Sequence, residues 1–419
     1  MFYQLYELNH AALRPLRVAA EMGHMAISNP LNPWAKTSLG RSVAATFEVI
    51  ERATRRYGKP SFDLPTTVVD GHEVPVVEKV AWQKPFCHLV HFEREVPRGR
   101  PADPKVLIVA PMSGHYATLL RGTVEAMLPA HEVYITDWID ARMVPMTAGS
   151  FDLDDYIDYL IEMVHHLGEG VNIIAVCQPS VPVLAAVSLM NEDRDPLAPS
   201  TMTLMGGPLD TRISPTAVNK VAHSKGISWF ERNVIMRVPF PNPGFMREVY
   251  PGFLQLGGFM SMNLDRHVSA HKDFYQHLII GDGDSAEKHR DFYDEYLAVM
   301  DLTEEFYLQT IRTVFLDHAL PEGTMMHRDR PVRPSEIRQT ALFTVEGELD
   351  DITGPGQTQA AHTMCVNLAP EKQQDYVQPG VGHYGVFNGS KFRANIQPRI
   401  AEFIRRHAPV GLGATADAA

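Results

Sequence analysis

At 419 residues the chain is long enough for one large core with an insertion, or for two domains. Its hydrophobic fraction of 45% and charged fraction of 21% are those of a globular protein and exclude a disordered one. The net charge of -12 argues against nucleic acid as the main partner, because phosphate binding needs a basic face. Three cysteines, Cys87, Cys177 and Cys365, form no C-x-x-C pair and give neither a disulfide framework nor a zinc signature. They fit a reducing, cytoplasmic compartment, and nothing calls for a metal or another cofactor. Residues 1–8 carry no basic n-region and no continuous apolar stretch, so no secretory signal is expected. No apolar run approaches the ~18 residues that span a bilayer, so no transmembrane segment is expected.

Residues 1 to about 60 show apolar residues at helical spacing, Leu13, Leu16, Val18, Ala19 and Met22, then Ala44, Phe47, Val49 and Ile50. Pro30 and Pro33 separate the two stretches. The pattern predicts a helical layer packed on the core, with a contact surface for an apolar partner as the sharper alternative. From about 65 to 96 it turns strand-like, with Asp70-Gly71 as a turn signal. The continuous apolar run 106–110 reads as a strand buried on both faces, and 132–136 and 171–176 continue the series. Helical stretches near 119–128 and 153–167 intervene. Alternating strands and helices predict an α/β fold, a mostly parallel central sheet with helices on both faces. A further strand at 201–205 ends at Gly206-Gly207-Pro208. The alternation then stops until 341–345 and 375–377. Residues 213–335 between them are mainly helical in pattern and rich in aromatics, among them Trp229, Phe253, Phe274, Tyr293 and Phe306. The expected division is a core of 1–212 and 336–408, a helical cap insertion of 213–335, and a flexible small-residue tail of 409–419.

The chemistry centres on the turn Ala175-Val176-Cys177-Gln178-Pro179. An apolar strand ends at a thiol and a helix-like stretch follows, the layout of the nucleophile elbow of an α/β-hydrolase fold. The usual box is G-x-S-x-G; here sulfur replaces oxygen and both glycines are missing. An ordinary buried thiol is the alternative. A thiolate is the attacking form of cysteine and is favoured at a helix N-terminus or beside an imidazolium. Such enzymes place nucleophile, acid and histidine in that chain order. Acids follow a strand in Val345-Glu346-Gly347-Glu348-Leu349-Asp350-Asp351, and His383 sits among glycines in Gly380-Val381-Gly382-His383-Tyr384-Gly385. Asp350 is the choice for the acid that orients His383, with Asp351 beside it and Asp210 behind. His115, after a buried strand, rivals His383, and the pair His165-His166 reads as a helix end. The backbone N–H of Ser113, or that of Met112, would join that of Gln178 in an oxyanion hole. Cys87 in a strand and Cys365 on a helix read as packed small residues. Ser180 is placed a turn into the helix, away from the elbow.

With these residues assembled, the chain resembles the intracellular poly(3-hydroxybutyrate) depolymerases, cysteine-nucleophile α/β-hydrolases. The likeness runs through Met1-Phe2-Tyr3-Gln4-Leu5-Tyr6-Glu7, Ala110-Pro111-Met112-Ser113-Gly114-His115, Val176-Cys177-Gln178-Pro179, Glu346-Gly347-Glu348-Leu349-Asp350-Asp351-Ile352 and Gly382-His383-Tyr384-Gly385. It implies hydrolysis of amorphous stored polyester to 3-hydroxybutyrate monomers and oligomers through a thioester. It assigns nucleophile, acid and base to Cys177, Asp350 and His383. It also implies a cytoplasmic enzyme associated with polyester granules, whose surface is its partner. A homo-oligomer is compatible with the sequence, which leaves the oligomeric state open. The rival readings are a polyhydroxyalkanoate synthase-like acyltransferase and a non-enzymatic granule-binding protein on the same fold. A synthase box keeps the flanking glycines that Ala175 and Pro179 replace.

Overall fold

The computed structural model describes residues 2–97, 99–262 and 264–408. The expected flexible tail, 409–419, lies outside the described residues. Seven strands precede the insertion: β1 (Thr66–Val69), β2 (His72–Lys84), β3 (Cys87–Arg94), β4 (Lys105–Val109), β5 (Glu132–Trp138), β6 (Asn172–Val176) and β7 (Thr201–Met205). Within it lie β8 (Met236–Arg237), β9 (Glu248–Tyr250), β10 (Leu302–Thr303), β11 (Met326–His327) and β12 (Arg330–Pro331), and β13 (Ala341–Gly347) and β14 (Gln373–Gln378) follow. The main sheet has nine strands in the order β1-β2-β3-β5-β4-β6-β7-β13-β14. The run from β5 to β14 is parallel, and β1, β2 and β3 add an antiparallel edge. The predicted α/β class is the observed one.

Every residue of β6 and β7 is buried. With a strand on each edge and helices over the faces, both sides of these strands demand apolar or small side chains, which explains their unbroken runs. Val176 stands opposite Met205, and Met205 opposite Val345. The strands therefore finish level, and the loops after β6, β7, β13 and β14 open along one edge, where ligands bind in open parallel sheets.

On the sheet lie α4 (Arg121–Met127), α5 (Leu153–Leu167) and α6 (Ser180–Glu192). The helix α5 begins with a reciprocal cap between Asp152 and Asp155 and stops at Gly168, where φ is 77°. His165 and His166 close its last turn, with His165 paired to Asp195 at 2.6 Å. Buried on nearly every side, α6 takes its small and branched residues from its place against the sheet.

The stretch from about 65 to 96 is strand-like as expected, and it includes β2, a thirteen-residue strand not singled out in the sequence, whose side chains are mostly exposed. Its partner across Asp70-Gly71 is β1, and its other edge pairs with β3. A surface strand needs no strong apolar alternation, so its pattern is faint.

The N-terminal helices α1 (Phe2–Ala12), α2 (Arg14–Ser28) and α3 (Ser38–Thr54) form as expected, but they pack on the insertion rather than on the sheet. The insertion carries α7 (Ala217–Lys225), α8 (Ile227–Asn233), α9 (Gly252–Met262), α10 (Leu264–Ile280), α11 (Gly283–Tyr296) and α12 (Glu304–Thr310). Tyr3 donates to Asp301 Oδ2 at 2.5 Å, Arg52 to Asp294 at 2.7 Å, and Arg290 to Glu48 at 2.7 Å. Phe2, Leu5, Leu8, Met22, Met25 and Leu31 remain exposed, Leu31 by 91%. The chain closes with α13 (Ala361–Met364), α14 (Gly389–Lys391) and α15 (Gln397–His407), the last packed beside α4. Cys365 follows α13 rather than lying on it, and like Cys87 it is fully buried. No helix among the described residues is long and apolar enough to cross a membrane.

A cluster of buried rings joins the sheet to the insertion. Phe151 lies 4.9 Å from Phe86, 5.2 Å from Tyr159 and 6.1 Å from Phe306. Phe151→Ala should therefore destabilise the protein by ~3–5 kcal/mol, read from the urea midpoint, because these neighbours cannot all close the cavity left behind.

Candidate active site

The turn after β6 holds the thiol in a conformation that side chains other than glycine seldom adopt. Cys177 has φ of +68°, while its N–H donates to Met205 O at 2.7 Å and its carbonyl accepts Ser180 N at 3.0 Å. A positive φ at a non-glycine residue costs roughly 1 kcal/mol or more and persists only where the surroundings enforce it. Here β7 holds one side of the turn and α6 the other. The side chain sits half-buried at the start of α6, where the N-terminal dipole favours negative charge. Ser180 opens that helix, not a turn further on as expected, and is fully buried.

Such a tight turn needs room beneath it. A Cβ on Gly207 would stand 2.1 Å from Ser180 Oγ, and one on Gly206 would stand 3.3 Å from His383 Cε1. The Gly206-Gly207 pair thus lets the end of β7 pass under both the elbow and the histidine. Thr358 fixes that passage, since its hydroxyl accepts Gly207 N at 2.8 Å and donates to Gly207 O at 3.0 Å. These glycines were visible in the sequence as the end of a strand, but nothing there linked them to the nucleophile.

His383 lies in the loop after β14 and is buried. Its Nδ1 is 2.7 Å from Asp350 Oδ2. Asp350 Oδ1 accepts Ile352 N at 2.9 Å and Thr353 N at 2.8 Å, so both carboxylate oxygens are engaged. It is this carboxylate, and not that of exposed Asp351, that meets the imidazole. The loop keeps its shape because buried Glu346 accepts the N–H groups of Gly356, Thr358 and Gln359 at 2.7, 2.7 and 3.0 Å. The sequence offered no sign of this second carboxylate's task.

The Cys177 side chain is the other group that acts electrostatically on the ring of His383. With Nδ1 on Asp350, Nε2 is the nitrogen left for sulfur. Burial alone would push the ring's pKa down. Electrostatic attraction to the Cys177 side chain and the hydrogen bond to Asp350 more than offset it and hold the ring well above the ordinary histidine range. Cys177, His383 and Asp350 are thus grouped at one edge of the sheet, an arrangement of the kind a nucleophile, a base and an orienting acid require.

The rivals sit elsewhere. His115 Nε2 lies 3.1 Å from Tyr296 O, and burial lowers the ring's pKa to about 4. Asp210 is held by Arg212 at 2.8 Å. Of the two N–H groups considered in the loop after β4, that of Met112 donates to Gln178 Oε1 at 3.4 Å. Neither Ser113 N nor Gln178 N makes a backbone hydrogen bond among the described residues. Tyr384 flanks the site, its ring 6.1 Å from that of His383. Among the described residues, no group of three or more His, Cys, Asp and Glu side chains could hold a metal ion.

Residues 206–408 match the family described as PHB de-polymerase C-terminus. Over that stretch, just under half of its length, the chain is a member of the PHB depolymerase family. It is a carboxylic ester hydrolase. A comparison with curated proteins finds no match. Among solved structures the chain is similar to a soluble variant of monoglyceride lipase from Saccharomyces cerevisiae, at 11% identity and a TM-score of 0.48 over 84% of this chain and 99% of that one. It is also similar to a thermophilic esterase from Thermogutta terrifontis, at 13% identity and a TM-score of 0.40 over 82% and 98% of the two chains.

The charge on His383 of this depolymerase-family chain has a measurable signature. In histidine side-chain NMR the ring should stay protonated well above pH ~6.5, the ordinary value. Cys177→Ala should move its titration downward. Because the folded value is raised, the associated stability is complete below the unfolded value and is lost as pH rises through the folded one. An unchanged titration in Cys177→Ala would place the sulfur away from the ring.

Proposed function

We propose that this chain hydrolyses amorphous poly(3-hydroxybutyrate) to 3-hydroxybutyrate and short oligomers through a thioester on Cys177. The observation that carries the reading is the half-buried thiol in a strained turn, acting electrostatically on an imidazole that contacts Asp350 at 2.7 Å, in a chain whose residues 206–408 match this family. The Cys177 thiol passes its proton to His383 Nε2, the sulfur attacks an ester carbonyl carbon, and the carbon–oxygen bond breaks. His383 Nε2 gives its proton to the leaving alkoxide, which departs as an alcohol. The ring then takes a proton from water, whose oxygen attacks the thioester. The carbon–sulfur bond breaks, and the proton returns to sulfur. Asp350 holds the ring's tautomer throughout and stabilises its charged form.

The N–H groups of Ser113 and Gln178 are the proposed donors to the oxyanion. One such donor is typically worth ~2.7–4 kcal/mol in the transition state. A neutral polymer asks for no basic surface, in keeping with the net charge of -12. We place the polyester granule against the exposed Phe2, Leu5, Leu8, Met22 and Met25 of the N-terminal helices.

Turnover of amorphous polyester should fall at least ~10³-fold in Cys177→Ala, the scale on which loss of a triad nucleophile acts. Short soluble esters should report the same loss. Full turnover in the variant would reject the nucleophile. Polymer made from 3-hydroxybutyryl-CoA by protein that leaves amorphous polyester intact would favour the synthase-like alternative.

A further inference from the structure

Away from Cys177, the N-terminal layer and the insertion enclose a cavity of about 230 Å³. A space of this size admits a small organic molecule. Its lining is unusual for a gap between helices. Arg52, Arg55, Arg56 and Arg142 all face it, against a single carboxylate, Asp301. Burial, and the Asp140 carboxylate after it, push the Asp301 pKa up, which further weakens the negative charge on the wall.

The acids that pair with these arginines stand behind the lining. Arg52 meets Asp294 at 2.7 Å, Arg56 meets Glu7 at 2.6 Å, and Arg142 meets Asp140 at 2.9 Å. The pair with Asp140 uses only part of the five-donor fork of Arg142. Two further wall residues hold buried nitrogens without a partner, His10 at Nδ1 and His289 at both ring positions. Unmet buried polar groups are costly and rare. The opposite wall is apolar, where Tyr6 stacks on Phe253 at 4.1 Å.

We propose that this cavity binds a short-chain hydroxycarboxylate. Planar guanidinium groups match a carboxylate in geometry, and the stacked rings accept a short aliphatic body. The choice of this acid rests on the proposed polyester hydrolysis, which releases molecules of that class. The cavity floor also reaches the catalytic loop. Asp301 N donates to Asp140 at 3.1 Å, and Met300 N donates to Gly114 O at 2.7 Å, next to Ser113. An acid seated there adds its contacts to the segment that buttresses the oxyanion loop, so the product would act back on its own release.

Arg142→Gln is the direct variant, but it strips Asp140 and Asp301 of a buried cation and can unfold the protein. The test therefore uses Arg56→Gln, at a rim position, and Leu256→Trp, which fills the space, each in full-length Cys177→Ala protein. Calorimetric titration with sodium 3-hydroxybutyrate should show one saturable site, weakened at least tenfold by either change. Inorganic phosphate should fail to displace the acid. No saturable binding, or undiminished binding in both variants, would overturn the proposal. Equal displacement by phosphate would overturn the assignment to carboxylates. Polyester turnover is measured separately, so binding without turnover would reject the substrate reading while leaving the cavity's ligand in place.

Discussion

The 2.7 Å contact between His383 and Asp350 depends on more of the fold than any other contact near the thiol. It joins a loop after β13 to a loop after β14, and through the ring it reaches a thiol at the end of β6. All three arrive at one edge because the parallel strands finish in register. A slip of one residue between β7 and β13 would turn every side chain of a strand to the other face and carry Asp350 away from the histidine.

The site is also a place where local preferences yield to geometry. Cys177 keeps a φ of +68° because its N–H is tied to β7 and its carbonyl to the first turn of α6. Without glycines in the elbow itself, the room comes from across the turn, where Gly206 and Gly207 pass beneath His383 and Ser180. The open space that a G-x-S-x-G box supplies within the elbow is supplied here by the neighbouring strand. Glu346, with its three backbone N–H partners, then keeps the acid loop from relaxing.

Much of this was legible in the residues. The apolar runs of β4, β6 and β7 announce strands buried on both faces, and the chain order of Cys177, Asp350 and His383 points to one constellation. The choice between Asp350 and Asp351 was not legible, because adjacent carboxylates differ only in how the loop aims them. The strand β2 hid for the opposite reason, since its exposed face asks for no apolar pattern. The N-terminal helices were read correctly as helices but assigned the wrong neighbour. Tyr3 and Arg52 find their partners in Asp301 and Asp294, some 240 or more positions away, a pairing that no local spacing encodes.

The central claim is that Cys177 carries the acyl group. Mass spectrometry of the native protein quenched during turnover of amorphous poly(3-hydroxybutyrate), with the modified residue mapped by peptide, tests it most directly. The account predicts a 3-hydroxybutyryl adduct on Cys177 and none on Ser180, Cys87 or Cys365. An adduct on any of those three, or turnover with Cys177 alkylated throughout, would contradict it.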